Sequence, residues 1–256
     1  MCLVTLAFQS HPNYPLVVVA NRDESYDRPT AAADFWSDYP QLLAGRDLEA
    51  GGTWFGINRG GRWATVTNFR GGGLAGDRSR GELPTNYLRR HWPTVDQYFR
   101  GVMADGDCYS GFSLLAGSVN ELAYCNNLTR TTTKLGPGVY TLSNDLLDTP
   151  WPKAELAREK LQQAVKADRL RSEDLVAVLA SRQCFPDRHL PDTGVGLEME
   201  RTLSPPFIVS HSYGTRCTTV LLIDNDGNVE FAEQTFLRGR AIGDIRQYRF
   251  TIEEPR

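Results

Sequence analysis

Much of what a common functional class would require is missing from this sequence. Its five cysteines (2, 108, 125, 184 and 217) are an odd number, with no CxxC pair and no finger spacing. Neither structural zinc nor a disulfide framework is expected from such a set, and unpaired thiols point to a reducing compartment. The four histidines form no HExxH and no paired spacing, which offers no metal site. No apolar run approaches the ~18 residues of a membrane-crossing helix, and no basic region followed by an apolar one opens the chain. Position 2 is not glycine and the last residues are Glu-Glu-Pro-Arg, so no lipidation or retention signal is read. Lysine is scarce, arginine is scattered, and a net charge of -3 has the wrong sign for a general nucleic-acid surface. The expectation is a soluble, cytoplasmic protein with no nucleic-acid partner and no transmembrane segment.

What is present begins at the second residue. If Met1 is removed, Cys2 carries both a thiol and a free α-amine. A free thiol has a pKa of about 8.5 and an α-amine one of about 7.7–8.0. A nucleophile and a base so matched, on one residue, need no histidine for acyl transfer. Leu3 to Phe8 run without a breaker as a strand, and His11-Pro12-Asn13-Tyr14-Pro15 is turn chemistry. Leu16 to Ala20 is a continuous apolar run, the pattern of a strand buried on both faces. It delivers Asn21-Arg22-Asp23-Glu24, and hairpin geometry brings Arg22 and Asp23 beside Cys2. Strand side chains alternate, so Arg22 and Asp23 both face Cys2 only if the strand ends or bulges there.

Ser25 to Pro40 reads as irregular, with Phe35 and Trp36 exposed or lining a pocket, and 42–46 as a short strand. Residues 51–58 and 62–69 read as a hairpin that ends at Asn68, before Arg70-Gly71-Gly72-Gly73. Those glycines are no phosphate loop, since no Gly-Lys-Ser/Thr follows. Helices are predicted from Gly81, over 94–103, over 151–166 and from Ser172, which is placed as a cap. Strands are predicted at 112–116, 122–125, 138–142, 217–223 and 228–236, with a last edge strand at 248–252. The stretch 184–206 reads as a loop and a candidate flap. The order strands, two helices, strands, two helices, strands, without a repeat or clean linker, gives one domain over 1–256: two sheets covered by helices.

Met-Cys-Leu at the start, Val-Val-Val-Ala-Asn-Arg-Asp-Glu at 17–24, Gly-Gly-Thr-Trp-Phe-Gly-Ile-Asn at 51–58 and Thr-Asn-Phe-Arg at 67–70 carry a resemblance. With Gly-Val-Tyr-Thr-Leu-Ser-Asn at 138–144 and Gly-Thr-Arg-Cys-Thr-Thr-Val at 214–220, they resemble the NRDE family, also known as the transport and Golgi organization protein 2 family. That family in turn resembles N-terminal nucleophile hydrolases of the bile-salt and penicillin V amidohydrolase type. The resemblance implies an α+β fold, a four-layer αββα sandwich of two mainly antiparallel sheets. It implies Cys2 as nucleophile, Asn68 as an oxyanion donor, Asn144 as the positioner of the nucleophile's amine, and Arg216 as its brace. Arg22 and Asp23 would flank the cysteine. The order of acid and arginine differs from the amidohydrolases, so either Asp23 or Glu24 is the acid. Asn21, Glu24, Trp54 and Phe69 are the candidate substrate contacts, with Phe35, Trp36 and Phe207 as further apolar candidates.

Two functions follow from this reading. One is hydrolysis of a small-molecule amide or other acyl substrate through a Cys2 thioester, without a cofactor. The other is a non-catalytic carrier or chaperone for haem or an acyl ligand in the same pocket, in keeping with the family's links to haem movement and lipid metabolism. The sequence contains no Cys-Pro dipeptide and no CxxCH, so haem has no motif of its own.

Overall fold

The computed structural model describes residues 2–71 and 74–253. The chain opens with six strands: β1 (Cys2–Phe8), β2 (Leu16–Ser25), β3 (Thr30–Trp36), β4 (Tyr39–Asp47), β5 (Phe55–Asn58) and β6 (Trp63–Asn68). Helices α1 (Glu82–Arg89) and α2 (Val95–Ala104) follow, then β7 (Phe112–Gly117), β8 (Leu122–Asn126), β9 (Thr131–Leu135) and β10 (Gly138–Leu142). Next come α3 (Pro152–Ala164), α4 (Ser172–Leu175) and α5 (Leu197–Thr202). The last strands are β11 (Tyr213–Ile223), β12 (Asn228–Leu237) and β13 (Arg240–Thr251).

The strands form two antiparallel sheets, one ordered β10-β1-β2-β11-β12-β13 and the other β3-β4-β5-β6-β7-β8-β9. Alternation along each strand decides which layer a side chain enters. On β1 and β2, Val4, Leu6, Val18 and Ala20 pack against Leu43, Ile57 and Trp63 of the facing sheet. Their neighbours Leu3, Ala7, Val17 and Val19 turn the other way and meet Ala154, Ala157 and Leu161 of α3. The second sheet does the same, sending Ala64, Val66 and Leu114 against Leu83 and Tyr87 of α1 and Phe99 of α2. The result is a four-layer α+β sandwich, helix on sheet on sheet on helix. Each fully buried Leu, Val or Ile contributes about 1.5–3 kcal/mol to holding it.

Several elements depart from expectation. β2 continues through Asn21-Arg22-Asp23-Glu24 to Ser25 instead of stopping at Ala20, because β11 pairs with it along that whole stretch. The segment expected to be irregular holds β3, whose Ala33 N–H donates to the buried Glu233 carboxylate at 2.7 Å. Trp36 is buried against the α1/α2 layer and Phe35 packs on the inter-sheet core; neither lines the main cavity. Strand β9 was not anticipated, its Thr131–Thr133 run being exposed and set by pairing with β8. Ser172 lies inside α4 and does not cap it; its hydroxyl bonds the Glu230 carboxylate instead. The 184–206 stretch carries a 3₁₀ turn at Asp187–His189 and α5. Gly72 and Gly73 of the glycine-rich loop lie outside the described residues.

Candidate active site

At the end of the sandwich where β1 begins and β2 and β6 finish, a cavity of about 1030 Å³ opens. Cys2, Arg22, Asp23, Glu24, Trp54, Asn68 and Phe69 all line it. The antiparallel register sets Cys2 directly opposite Arg22, so both share the inter-sheet face with Val4 and Ala20. Asp23 is one residue on and belongs to the other face, where the Thr215 hydroxyl donates to its Oδ1 at 2.6 Å. A β-bulge in β11 lies here: Asp23 pairs with Thr215 and Arg22 with Cys217, which leaves Arg216 as the extra residue. A bulge re-aims the side chains around it, and this one lets residues from opposite faces meet at one cavity end.

Arg22 is fixed on three sides. Its Nη1 donates to Thr30 Oγ1 at 2.8 Å, its Nη2 to Asp47 Oδ2 at 3.0 Å, and its guanidinium lies 4.2 Å from the Trp54 ring centroid. Asp47 is gripped in turn by Arg28 at 2.6 Å. Burial pushes the Asp47 carboxyl up, but the Arg28 hydrogen bond and the Ala50 N–H outweigh it and hold it below the usual carboxylate range. Burial pushes the Cys2 thiol up, and Asp23 adds to this, while Arg22 and the Asp23 N–H favour the thiolate. The Asp23 carboxyl is likewise raised by burial, against the pull of Lys153, Thr215 and Arg70.

Asn68, the last residue of β6, lines the same cavity as Cys2. Asn144, fully buried, donates from Nδ2 to the Asn68 carbonyl at 3.0 Å and to Asn68 Oδ1 at 2.9 Å. That bond orients the Asn68 amide and leaves its NH₂ for the cavity. The Asn144 carbonyl accepts from the Arg70 N–H at 2.7 Å. The Arg70 guanidinium reaches Glu200 of α5 at 2.7 Å, with the two side chains 5% and 3% exposed. Lys153, on the first turn of α3, is buried and donates to the Leu203 carbonyl at 3.1 Å. Burial, helped by Arg70, lowers its pKa to about 8, though Asp23, Cys2 and Glu200 oppose this.

Three expected residues sit elsewhere. Asn21 does not reach the cavity: its Nδ2 donates to the carbonyls of Leu179 and Pro206, and its Oδ1 accepts from Thr218. The alternation that puts Arg22 at the cavity turns Asn21 into the helix layer. Arg216 does not line the cavity either; it donates to the carbonyls of Ser25 at 2.6 Å and Arg28 at 3.1 Å. It thereby pins the β2–β3 turn from which Arg28 holds Asp47. Phe207 is buried edge-on against Phe236, away from the cavity. Glu24 lines the cavity but spends Oε1 on the Ser25 N–H at 2.8 Å. Of the two acids, Asp23 is the one whose charge acts to raise the Cys2 thiol.

Asp47, Arg70, Lys153, Glu200 and Thr215 were not singled out from sequence. Lys153 had a signal, since it stands in line with Ala157 and Leu161 on the buried stripe of α3, where a lysine is out of place. Together the site sets a thiol, a carboxylate, a guanidinium and a fixed amide at one end of a partly apolar cavity. That is an assembly suited to acyl transfer.

Comparison with known proteins agrees with this architecture. A conjugated bile acid hydrolase from Clostridium perfringens, solved as a cysteine-to-alanine variant, has a similar fold, with TM-score 0.54, 10% identity, and coverage of 99% of this chain and 98% of that one. The two share the four-layer α+β sandwich. Among relatives, a transport and Golgi organization protein 2 homolog from Bos taurus is 36% identical over 93% of this chain and 94% of its own length. Its Homo sapiens counterpart is 34% identical over 99% and 100%. With the profile described as transport and Golgi organisation 2 matching residues 1–238, the chain belongs to that family.

Proposed function

We propose that the protein is an N-terminal cysteine amidohydrolase that cleaves a small acyl conjugate through a thioester on Cys2. The observation that carries this reading is Cys2 at the cavity end, opposite Arg22 and beside Asp23, with the Asn68 amide held by Asn144. After removal of Met1, the α-amine of Cys2 takes the thiol proton and the sulfur attacks the substrate carbonyl. Asn68 Nδ2 hydrogen-bonds the oxyanion of the tetrahedral intermediate. Collapse breaks the C–N bond, the α-ammonium protonates the departing amine, and water, deprotonated by the same α-amine, hydrolyses the thioester. Arg22 favours the thiolate, and Asp23 orients the amine. The fold is shared with a conjugated bile acid hydrolase, a name that fits hydrolysis of an acyl conjugate here. Cys2, Cys108, Cys125, Cys184 and Cys217 are all free thiols, which supports a cytoplasmic setting. The core shared by the two sheets supports one domain.

The test is intact-mass analysis and turnover of a panel of N-acyl amides by wild type and Cys2→Ala. The reading expects mass without Met1, a transient acyl adduct on wild type, and no turnover by a folded Cys2→Ala protein. Retained Met1, or turnover indifferent to Cys2, overturns it. Titration with haem then addresses the carrier reading, which expects stoichiometric binding with a thiolate-type Soret band lost in Cys2→Ala.

A further inference from the structure

Five arginines line the cavity: Arg22, Arg28, Arg70, Arg78 and Arg80. Four of them are neutralised by carboxylates. Arg22 and Arg28 share Asp47 at 3.0 and 2.6 Å, Arg70 holds Glu200 at 2.7 Å, and Arg78 holds Glu82 at 2.8 Å. Arg80 is different. It donates Nη1 to the Gly111 carbonyl at 3.3 Å and makes no ion pair among the described residues. The nearest acid in sequence, Glu82, is turned to Arg78 by two hydrogen bonds, at 3.1 and 2.8 Å.

A guanidinium carries five N–H donors and stays charged at any ordinary pH. Removing such a group from water without a counter-ion is unfavourable, and Arg80 is half-buried. We propose that Arg80 receives an oxyanion of the substrate, a carboxylate or a phosphate, while Trp54, Phe69 and Met199 take its apolar body. The inference rests on the hydrolase reading, which puts the scissile carbonyl at Cys2. It narrows the substrate class to an amphipathic acyl conjugate with an anionic group within one cavity length of the bond cleaved. Burial lowers the Arg80 pKa, and Cys2 and Glu24, which lie close enough to favour its charged form, offset this only in part. A planar fork of donors suits a bidentate oxyanion better than a point charge does.

The test uses the full chain carrying Cys2→Ala, so that binding is read without turnover. The probes, each titrated by calorimetry, are N-decanoylglycine, decyl phosphate and the neutral N-decanoylglycinamide. At least one anion is expected to bind about tenfold or more tighter than the neutral amide, and the tighter of the two anions identifies carboxylate or phosphate as the source. Adding Arg80→Gln should erase the preference, and Arg80→Lys should keep part of it. A merely structural Arg80 would lower stability or affinity for all three probes alike. Equal affinities in the parent protein, a preference that survives Arg80→Gln, or no binding by any probe overturns the proposal. Should Arg80→Gln fail to fold, as read by its thermal melt, Arg80→Lys decides: a preference undiminished there overturns it too. Failure of the hydrolase reading looks different. An anion preference with no turnover by wild type keeps Arg80 and removes the hydrolase, and turnover without a charge preference does the reverse.

Discussion

Asn144 holds Asn68 at two points, its single Nδ2 serving the carbonyl at 3.0 Å and Oδ1 at 2.9 Å. This contact bridges 76 residues of sequence and joins the loop after β10 to the end of β6. Since Asn68 lines the cavity and Asn144 does not, the two have separable roles in the proposed reaction. Asn68→Ala removes an oxyanion donor and is expected to lower kcat by roughly 10²–10³. Asn144→Ala reaches the reaction through the orientation of Asn68, besides losing the 3.5 Å contact of its Oδ1 with Arg70 Nη2, so kcat should fall less while KM stays near wild type. Steady-state kinetics on both variants check this; equal or larger loss in Asn144→Ala would refute the assignment.

Arg70 and Glu200 are buried together at 2.7 Å and tie the loop after β6 to α5, 130 residues on. Glu200 also accepts from the Thr193 N–H at 3.0 Å and from the Thr193 hydroxyl. Removing one partner of such a pair strands the other charge and typically costs about 3–5 kcal/mol, whereas an apolar replacement of both is far milder. Glu200→Ala should therefore lower stability by about that amount and speed proteolysis within 184–206. The double variant Arg70→Met/Glu200→Leu should recover most of the loss. Urea unfolding of the wild type and the two variants at a common m-value measures it, and a double variant no more stable than Glu200→Ala would show that the pair is not coupled.

The meeting of Cys2 and Arg22 was legible because it needs only two strands and the short turn between them, and the register bears this out. The bounds of β10 were legible too, since Gly138-Val139-Tyr140-Thr141-Leu142 stands between turns. Asn21 went astray because the tetrapeptide was read as a cluster, whereas alternation sends Asn21 and Arg22 to opposite faces. The bulge at Arg216 is a relation between strands nearly the whole chain apart, and no local pattern encodes it. The same holds for Glu200, whose sequence context is that of an exposed loop acid until Arg70 arrives from another element. β3 has no alternation to betray it; its pairing with β4 and the Glu233 carboxylate make it a strand.

Lys153 gives the protein a pH dependence whose sign can be stated. Its amine is buried and donates to the Leu203 carbonyl, and its pKa falls from 10.5 to about 8, chiefly through burial and next through Arg70. Asp23, Cys2 and Glu200 work in the other direction. Below pH 8 the ammonium is protonated in both folded and unfolded chains, and the folded protein bears the full cost of holding it, roughly 3 kcal/mol. Between pH 8 and 10.5 the folded protein has released this proton while the unfolded chain still binds it. Stability rises with pH wherever the unfolded state binds more protons, so this penalty is relieved across that window. Lys153→Met has no such group. Its stability relative to wild type should therefore fall by up to roughly 3 kcal/mol from pH 7 to pH 10.5, whatever the offset at pH 7. Urea unfolding of the two proteins at half-unit steps reads the difference directly, with other titrating groups common to both. Parallel curves would mean that Lys153 keeps an ordinary amine pKa and that its burial is relieved by a route other than deprotonation.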